Sequence, residues 1–411
     1  MEMIPIGALE NPGAFRWMLR LAADARGHPL SSVGNAMLVM QEHPELAGAL
    51  CFDRATQCLH WRTRPPWSRT TGARLVDIDH DPIQFARWAE ATLSMHFPVG
   101  TARDAMSAVA REAEIDSLAD WLSSLKWDGV ERIDTWLTHY LQADNSALNQ
   151  AFGRRWLIGA AARGLAKTDV KMDTTLVLEG AQGVGKSKAL AILGGEWFTD
   201  SIPGLDNHKE AAISIIGKWI VELPELASMR RKEIEHVKAF LTATSDKVRL
   251  PYERNTTVCL RRCVFAGTTN EVDYLRDTEN RRFWPVTVRG TDDAALHRDR
   301  EQLLAEAVAA YRKGDQWWLR SDETELLASL KEAHVQRSPD YDLWTERVLA
   351  FLDGRDEAAL CDVAVKGLGL ELSRTTVADK HRIADIMRGA GWSVRRSKLS
   401  NRWVPPAQAP T

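Results

Sequence analysis

The chain has 411 residues, too many for one ordinary core, so two or three domains are the natural expectation. The apolar fraction of 45% belongs to a soluble globular protein, and no run approaches the ~18 apolar residues of a membrane span. A net charge of −3 excludes a wholesale basic polyanion binder.

MEMIPIGALENPG has neither the basic stretch nor the hydrophobic core of a secretory signal. Cys51, Cys58, Cys259, Cys263 and Cys361 lack metal-like spacing. Cys259 and Cys263 fall in or beside an apolar strand pattern, where small buried thiols are expected. A cytoplasmic protein without membrane attachment fits. Charge is unevenly spread. Residues 230–262 hold nine Lys/Arg against four Asp/Glu, and 374–403 hold eight against two. These two basic islands are either local nucleic-acid contacts or solvated faces balanced by acidic neighbours.

Residues 1–100 read as mixed α/β. Helical periodicity in FRWMLRLAADAR gives way to LAGALCFDRATQCLHW, a strand, a turn and a second strand. Asp81, just ahead of Pro82, is expected to cap the amphipathic helix PIQFARWAEATLSMHF. TARDAMSAVAREAEI is another helix, and SLADWLSSLKWDGVERIDTWLTHYL is helical with a break at Asp128-Gly129. A strongly apolar helix runs from Ala151 to Leu165, and the strand TTLVLE follows.

After a glycine-rich turn come a helix ended by Gly194-Gly195, a strand in 217–226 and the basic helix MRRKEIEHVKAFLTA. DKVRLPYERNTTVCLRR (246–262) reads as a hairpin bent at Pro251, Glu253 and Asn255, and CVFAGTTN (263–270) as a buried strand with a polar end. Alternating strands and helices over 174–290 predict a mostly parallel sheet wrapped by helices. The tail holds helices, Gly389–Gly391 and a two-stranded wing ending at Trp403. That pattern suits a winged helix on duplex or forked DNA, or a protein-docking module.

Gly180-Ala181-Gln182-Gly183-Val184-Gly185-Lys186-Ser187 fits G-x-x-x-x-G-K-[ST] at every position, with Lys188 following, and it sits between a strand and a helix. Its glycines let backbone amides turn inward around phosphate oxygens, and the helix N-terminus adds its dipole. Lys186 would place a charge between the outer phosphates, and Ser187 would ligate Mg²⁺. Phosphoryl transfer also needs an acid on a neighbouring strand. Glu222 and Glu225, in the apolar WIVELPE, are the candidates, because a carboxylate there is costly unless paired or metal-linked. Asn270 ends the next strand, where it could reach a γ-phosphate or its water, or merely cap a turn. Arg281 and Arg282, ahead of Phe283-Trp284, could offer a guanidinium to a phosphate in cis or from a neighbouring subunit.

The segments WLSSLKWDGVERIDTWL, LEGAQGVGKS, GEWFTDS, GKWIVELPEL, KAFLTATSDKVRLPYER, RRCVFAGTTN and NRRFWPV occur in order from about Asp116 to Val288. They resemble the virulence-associated protein E family of phage and mobile-element ATPases, related to superfamily 3 helicases. The resemblance implies an α/β fold: a P-loop NTPase core of AAA+/superfamily 3 type, with a helical N-terminal region and a small winged-helix-like C-terminal domain. The corresponding layout is a mixed α/β region over 1–115, a helical collar over 116–172, a motor over 173–335 and the C-terminal domain over 340–411.

It further implies a Walker A at Gly180–Ser187, a Walker B at Glu222/Glu225, a sensor at Asn270 and an arginine finger at Arg281 or Arg282. Residues 246–256 would be a pore hairpin gripping single-stranded DNA. There Lys247, Arg249 and Arg254 suit phosphates and Tyr252 suits base stacking, unless the hairpin merely packs on the sheet. Some members carry a primase-polymerase domain, and Asp77, Asp79 and Asp81 resemble its paired metal-binding aspartates. The ~100 residues available are too few for a complete one. The implied activity is an ATP- and Mg²⁺-dependent, ring-forming (hexameric) DNA helicase of phage or mobile-element replication. The alternative is an ATP-gated loader that binds DNA and recruits host or phage replication proteins without unwinding.

Overall fold

In a computed structural model, residues 12–70, 72–203, 207–225, 237–249, 255–270, 281–336, 341–371, 375–396 and 401–405 are described. Near the N-terminus β1 (Leu50–Asp53) and β2 (Cys58–Trp61) form the expected strand, turn and strand, paired antiparallel. β3 (Arg74–Leu75) adds to β2, and β4 (Glu114–Ile115) lies parallel to β1, giving a four-stranded sheet in the order β3-β2-β1-β4. The mixed α/β reading of this region holds, and the helical N-terminal region implied by the resemblance is corrected by this sheet. The two-residue strands β3 and β4 carry too little periodicity to be read, and the sheet packs with the helices Asp81–Leu93 and Val99–Glu112 around a core holding Phe52, Trp61, Phe85 and Met106.

Asp81 is not the helix cap. His80 takes that position, and Asp81 is the first helical residue, with 0% exposure. Its carboxylate accepts from Arg74 Nη1 and Nη2 (2.8 and 2.6 Å), from the indoles of Trp61 and Trp67 (3.0 and 2.9 Å) and from the Asp77 amide (2.9 Å). These donors explain its burial as a structural hub, since a buried charge must be paired and hydrogen-bonded. Among the described residues no cluster of three or more His, Cys, Asp or Glu could hold a metal.

Helices Ser117–Ser124 and Trp136–Leu141 are separated by the whole of 125–135, a wider break than Asp128-Gly129 alone. Ser146 then caps the helix Ala147–Gly164, its hydroxyl accepting from the Asn149 amide at 3.1 Å. Apolar residues surround this helix, so it is buried on several sides.

The central sheet contains β5 (Thr175–Glu179), β6 (Phe198–Thr199) and β7 (Ile220–Leu223). Next, β8 (Ser245–Val248) and β9 (Thr257–Leu260) form the expected antiparallel hairpin, whose bend lies outside the described residues. β10 (Val264–Thr269) and β11 (Phe283–Thr287) complete the sheet in the order β11-β5-β10-β7-β6, with every pairing parallel. β5, β7 and β10 are buried throughout, the pattern of strands covered on both faces. One face, through Leu176, Leu178, Ile220, Val264 and Trp284, packs with the helices Ala147–Gly164, Lys186–Gly194 and Asp293–Lys313. The other, through Val177, Val221 and Phe265, packs with Ala211, Phe240 and Val248.

The C-terminal part joins the helices Tyr341–Leu352 and Val377–Gly389 to β12 (Ser393–Arg396) and β13 (Asn401–Val404), two strands paired antiparallel. Trp392 and Trp403 close its small core. No helix among the described residues is long and apolar enough to cross a membrane.

Burial pushes the Asp81 carboxyl up, but Arg74 and the two indoles hold it below the usual carboxylate range. Asp81→Ala leaves the partly exposed Arg74 guanidinium and the two indole N–H groups without their acceptor and should cost about 1–3 kcal/mol in urea unfolding. A group with a depressed folded-state pKa contributes stability above its unfolded value, near 4, and that contribution vanishes as pH falls through the lower folded value. Asp81→Asn should therefore flatten the acid side of the stability profile. An unchanged acid limb would show that Asp81 is not what holds it.

Candidate functional site

The carboxyl ends of β5, β7 and β10 converge on the glycine-rich loop. Leu176, Leu178, Ile220, Glu222, Val264, Ala266 and Thr268 occupy alternate positions and so share the face covered by the helix Lys186–Gly194. That helix begins directly after Gly185, whose φ of +103° is a left-handed conformation suited to glycine. A Cβ on Gly185 would come within 2.1 Å of Thr291 Oγ1, and one on Gly180 within 2.3 Å of the Val288 carbonyl oxygen. The loop is thus clamped by the segment that leaves β11, and Thr291 Oγ1 also donates to the Val184 carbonyl at 3.1 Å.

Lys186 Nζ donates to the carbonyls of Gly180 (2.6 Å) and Ala181 (2.9 Å) and to Asn270 Oδ1 (3.0 Å). Burial lowers the pKa of this ammonium, against an upward pull from Glu222. Ser187 Oγ donates to Glu222 Oε1 at 2.7 Å, and Thr268 Oγ1 donates to the same oxygen at 2.5 Å. Glu222 is 1% exposed, and its other oxygen, Oε2, is buried without a hydrogen-bond partner. A buried anionic oxygen in this state is normally satisfied by a donor or a cation. Gln182 to Lys188, Glu222, Pro224, Glu225, Thr268, Thr269 and Asn270 line one cleft of about 440 Å³.

Not all candidates sit alike. Glu225 is past the end of β7, exposed and at a φ of +50°, so the expectation of a second carboxylate inside the strand is corrected. Pro224 follows the strand and turns the chain before Glu225 is reached. Lys188 points off the helix to Asp293 at 2.8 Å. Arg281 and Arg282 lie at the opposite edge of the sheet: the Arg282 carbonyl accepts from the Thr175 amide at 2.7 Å, at the amino end of β5. Five strand residues, about 17 Å, separate that edge from the phosphate-loop glycines, so neither arginine reaches the cleft of its own chain. Lys247 is exposed on β8 and Arg249 follows it, while Tyr252 and Arg254 lie outside the described residues.

Sequence reasoning missed Thr268 and Thr291. Thr268 was legible as the residue two beyond Ala266 on a buried strand. Thr291 carried no local signal.

The Virulence-associated protein E-like domain family matches residues 122–336. Similar solved structures include two described as apo structures of the NrS-1 C-terminal region. One, an A form, is 12% identical with a TM-score of 0.47, covering 87% of this chain and 96% of that chain. The other is 13% identical with a TM-score of 0.48, covering 87% and 95%. No curated protein matches.

Thr268→Val is nearly isosteric but removes one of the two hydroxyl donors to a buried carboxylate. It should lower unfolding free energy by about 1–3 kcal/mol. Thermal or urea unfolding equal to wild type would show that Ser187 alone satisfies Glu222.

Proposed function

The chain belongs to the virulence-associated protein E-like family, and from that premise we propose a Mg²⁺-dependent ATPase that assembles into a ring and moves on DNA during phage or mobile-element replication. Family membership supports the replication setting. The observation that carries the activity is the convergence of Lys186, Ser187, Glu222 and Asn270 from one loop and two neighbouring strands.

The residues fit ATP and its metal. The unpaired Glu222 Oε2 and the Ser187 hydroxyl offer hard oxygen donors of the kind Mg²⁺ takes. Open space beside Gly183, where no atom lies within 4 Å of an added Cβ, lets the backbone approach a phosphate. Bound metal would neutralise charge on the phosphate oxygens. Lys186 would exchange its carbonyl partners for phosphate oxygens, and that exchange would release Asn270 Oδ1. Asn270 or Glu225, the polar groups on the open side of the cleft, would then orient the attacking water. The P-loop reading of the sheet and the winged-helix reading of the C-terminal part belong to this proposal. So do the domain limits expected from the sequence and the grip of 246–256 on single-stranded or forked DNA.

β10 supplies a physical link between nucleotide and DNA. It begins three residues after the hairpin stem and ends next to Asn270, so one fully buried strand joins the two. The placement of Arg281 and Arg282 bears on assembly. If either serves as a finger, it acts on the cleft of a neighbouring subunit. Arg282 is the stronger candidate because its carbonyl is anchored to β5 and its side chain is half-buried.

Lys186→Ala should abolish ATP turnover without unfolding the chain, and normal hydrolysis by this variant would sink the site assignment. Arg282→Ala should cut turnover by about 10³-fold or more with ATP binding retained. Mixing it with Lys186→Ala protein should restore part of the rate, since mixed interfaces pair one intact cleft with one intact finger. No recovery at any ratio would reject the finger in trans. Lys247→Ala and Arg249→Ala should each lower the log–log salt slope of single-stranded DNA binding by about 0.7. Both should spare basal ATPase. Normal DNA-stimulated turnover and unwinding in both would reject the hairpin grip, and a wild-type chain that hydrolyses ATP but displaces no strand would favour the loader reading.

A further inference from the structure

A second cavity, of about 280 Å³, lies between the N-terminal sheet and the root of the β8–β9 hairpin, away from the phosphate loop. The N-terminal region contributes Phe52, Arg54, Arg111 and Glu114, and the central region contributes Lys218, Asp246, Arg261 and Arg262. Five cations therefore face two carboxylates. Asp246 is taken by Arg261, through Nε at 2.8 Å and Nη2 at 2.5 Å, which leaves four cations against Glu114. Arg111 is held over the Phe52 ring, 4.5 Å from its centroid. Arg262 is more than nine-tenths buried. Its Nη1 meets Asp116 at 2.5 Å and its Nη2 the Gly164 carbonyl, but its Nε is buried with no hydrogen-bond partner. Arg54 and Lys218 carry no ion pair or side-chain hydrogen bond among the described residues.

A buried guanidinium with an unused N–H beside two unpaired cations is an arrangement that an anion with several acceptor oxygens completes. We infer that this junction cavity is a binding site for a phosphate group, recognised by Arg54, Lys218 and Arg262. The group is either a backbone phosphate of single-stranded DNA or a free phosphate compound. The volume, below that of most drug-sized pockets, fits one or two phosphates with a sugar rather than a longer ligand. The site is separate from the ATP cleft, and its existence does not depend on ATP turnover.

The test uses the full chain carrying Lys186→Ala, which disables the phosphate loop, with and without Arg54→Ala and Lys218→Ala. One arm titrates a fluorescent oligothymidylate across a salt series, and the other titrates inorganic pyrophosphate by calorimetry. If the site takes DNA, the double substitution should weaken oligothymidylate binding at least tenfold and flatten the salt slope by about 1.4. If it takes a free phosphate compound, oligothymidylate binding should hold while the pyrophosphate heat disappears. Arg54→Lys with Lys218→Arg should restore whichever signal was lost, and unchanged melting temperatures and basal ATPase in the otherwise wild-type chain exclude misfolding. Binding of both probes unaffected by the double substitution, or absence of binding by either probe before it, would overturn the inference.

Discussion

Arg163 holds the amino edge of the central sheet together. Its guanidinium is fully buried at the end of the helix Ala147–Gly164 and donates to four carbonyls from three segments. Cys263 O, at 2.6 Å, leads into β10, and Met172 O, at 3.1 Å, leads into β5. Val170 O lies at 3.3 Å, and Ala243 O, just ahead of β8, at 3.2 Å. Burial pushes the pKa of this arginine down to about 10, which still leaves it charged at neutral pH. A planar, permanently charged fork can satisfy several backbone acceptors at once, as a lysine could not. The clamp sits just ahead of both β5 and β10, which run parallel and in register from there. With the register set, Glu179 stands opposite Thr269, and the loop beyond one strand meets Asn270 beyond the other.

The same edge fixes the hairpin. Arg261 and Arg262 follow β9 directly and point to different parts of the chain, one to Asp246 in β8 and one to Asp116 ahead of the helix Ser117–Ser124. Arg261 also stacks over the Phe240 ring at 4.2 Å. The hairpin is therefore closed on itself at its root and tied to two other segments, at Asp116 and Phe240, while β10 passes from that root to the cleft. A rigid strand between two sites transmits displacement better than a loop, because its ladder on both sides resists bending.

At the two ends of the chain, charge serves structure more than local counting implies. Asp77, Asp79 and Asp81 look alike in sequence, but Asp77 accepts only the nearby Asp79 and His80 amides at the surface, whereas Asp81 is buried among side-chain donors. The C-terminal basic island is partly neutralised from outside its own window. Arg395 pairs with Glu357 at 3.2 Å and Arg402 with Asp362 at 3.9 Å, while Arg388 pairs with Asp385 inside it. Those carboxylates weaken the charge argument for DNA contact there without touching the argument from shape.

The sequence by itself determined what is periodic or contiguous. The apolar runs of β5, β7 and β10, the glycine-rich turn and the hairpin of β8 and β9 are each encoded within a dozen neighbouring residues, where side-chain alternation and turn chemistry act. Lys186, Ser187, Glu222 and Asn270 were legible for the same reason, since each sits at a fixed offset from a strand or helix end. The tertiary structure decided everything that depends on which segments meet. It put Arg281 and Arg282 at the far edge of the sheet, because parallel strands place the start of β11 beside the start of β5. It also moved Glu225 out of the strand, gave Asp81 its donors, brought Thr268 to Glu222 and assembled the junction cavity from both halves of the chain. The Thr268–Glu222 pair and the junction cavity join residues tens to hundreds of positions apart, and no local period records a partner at that distance.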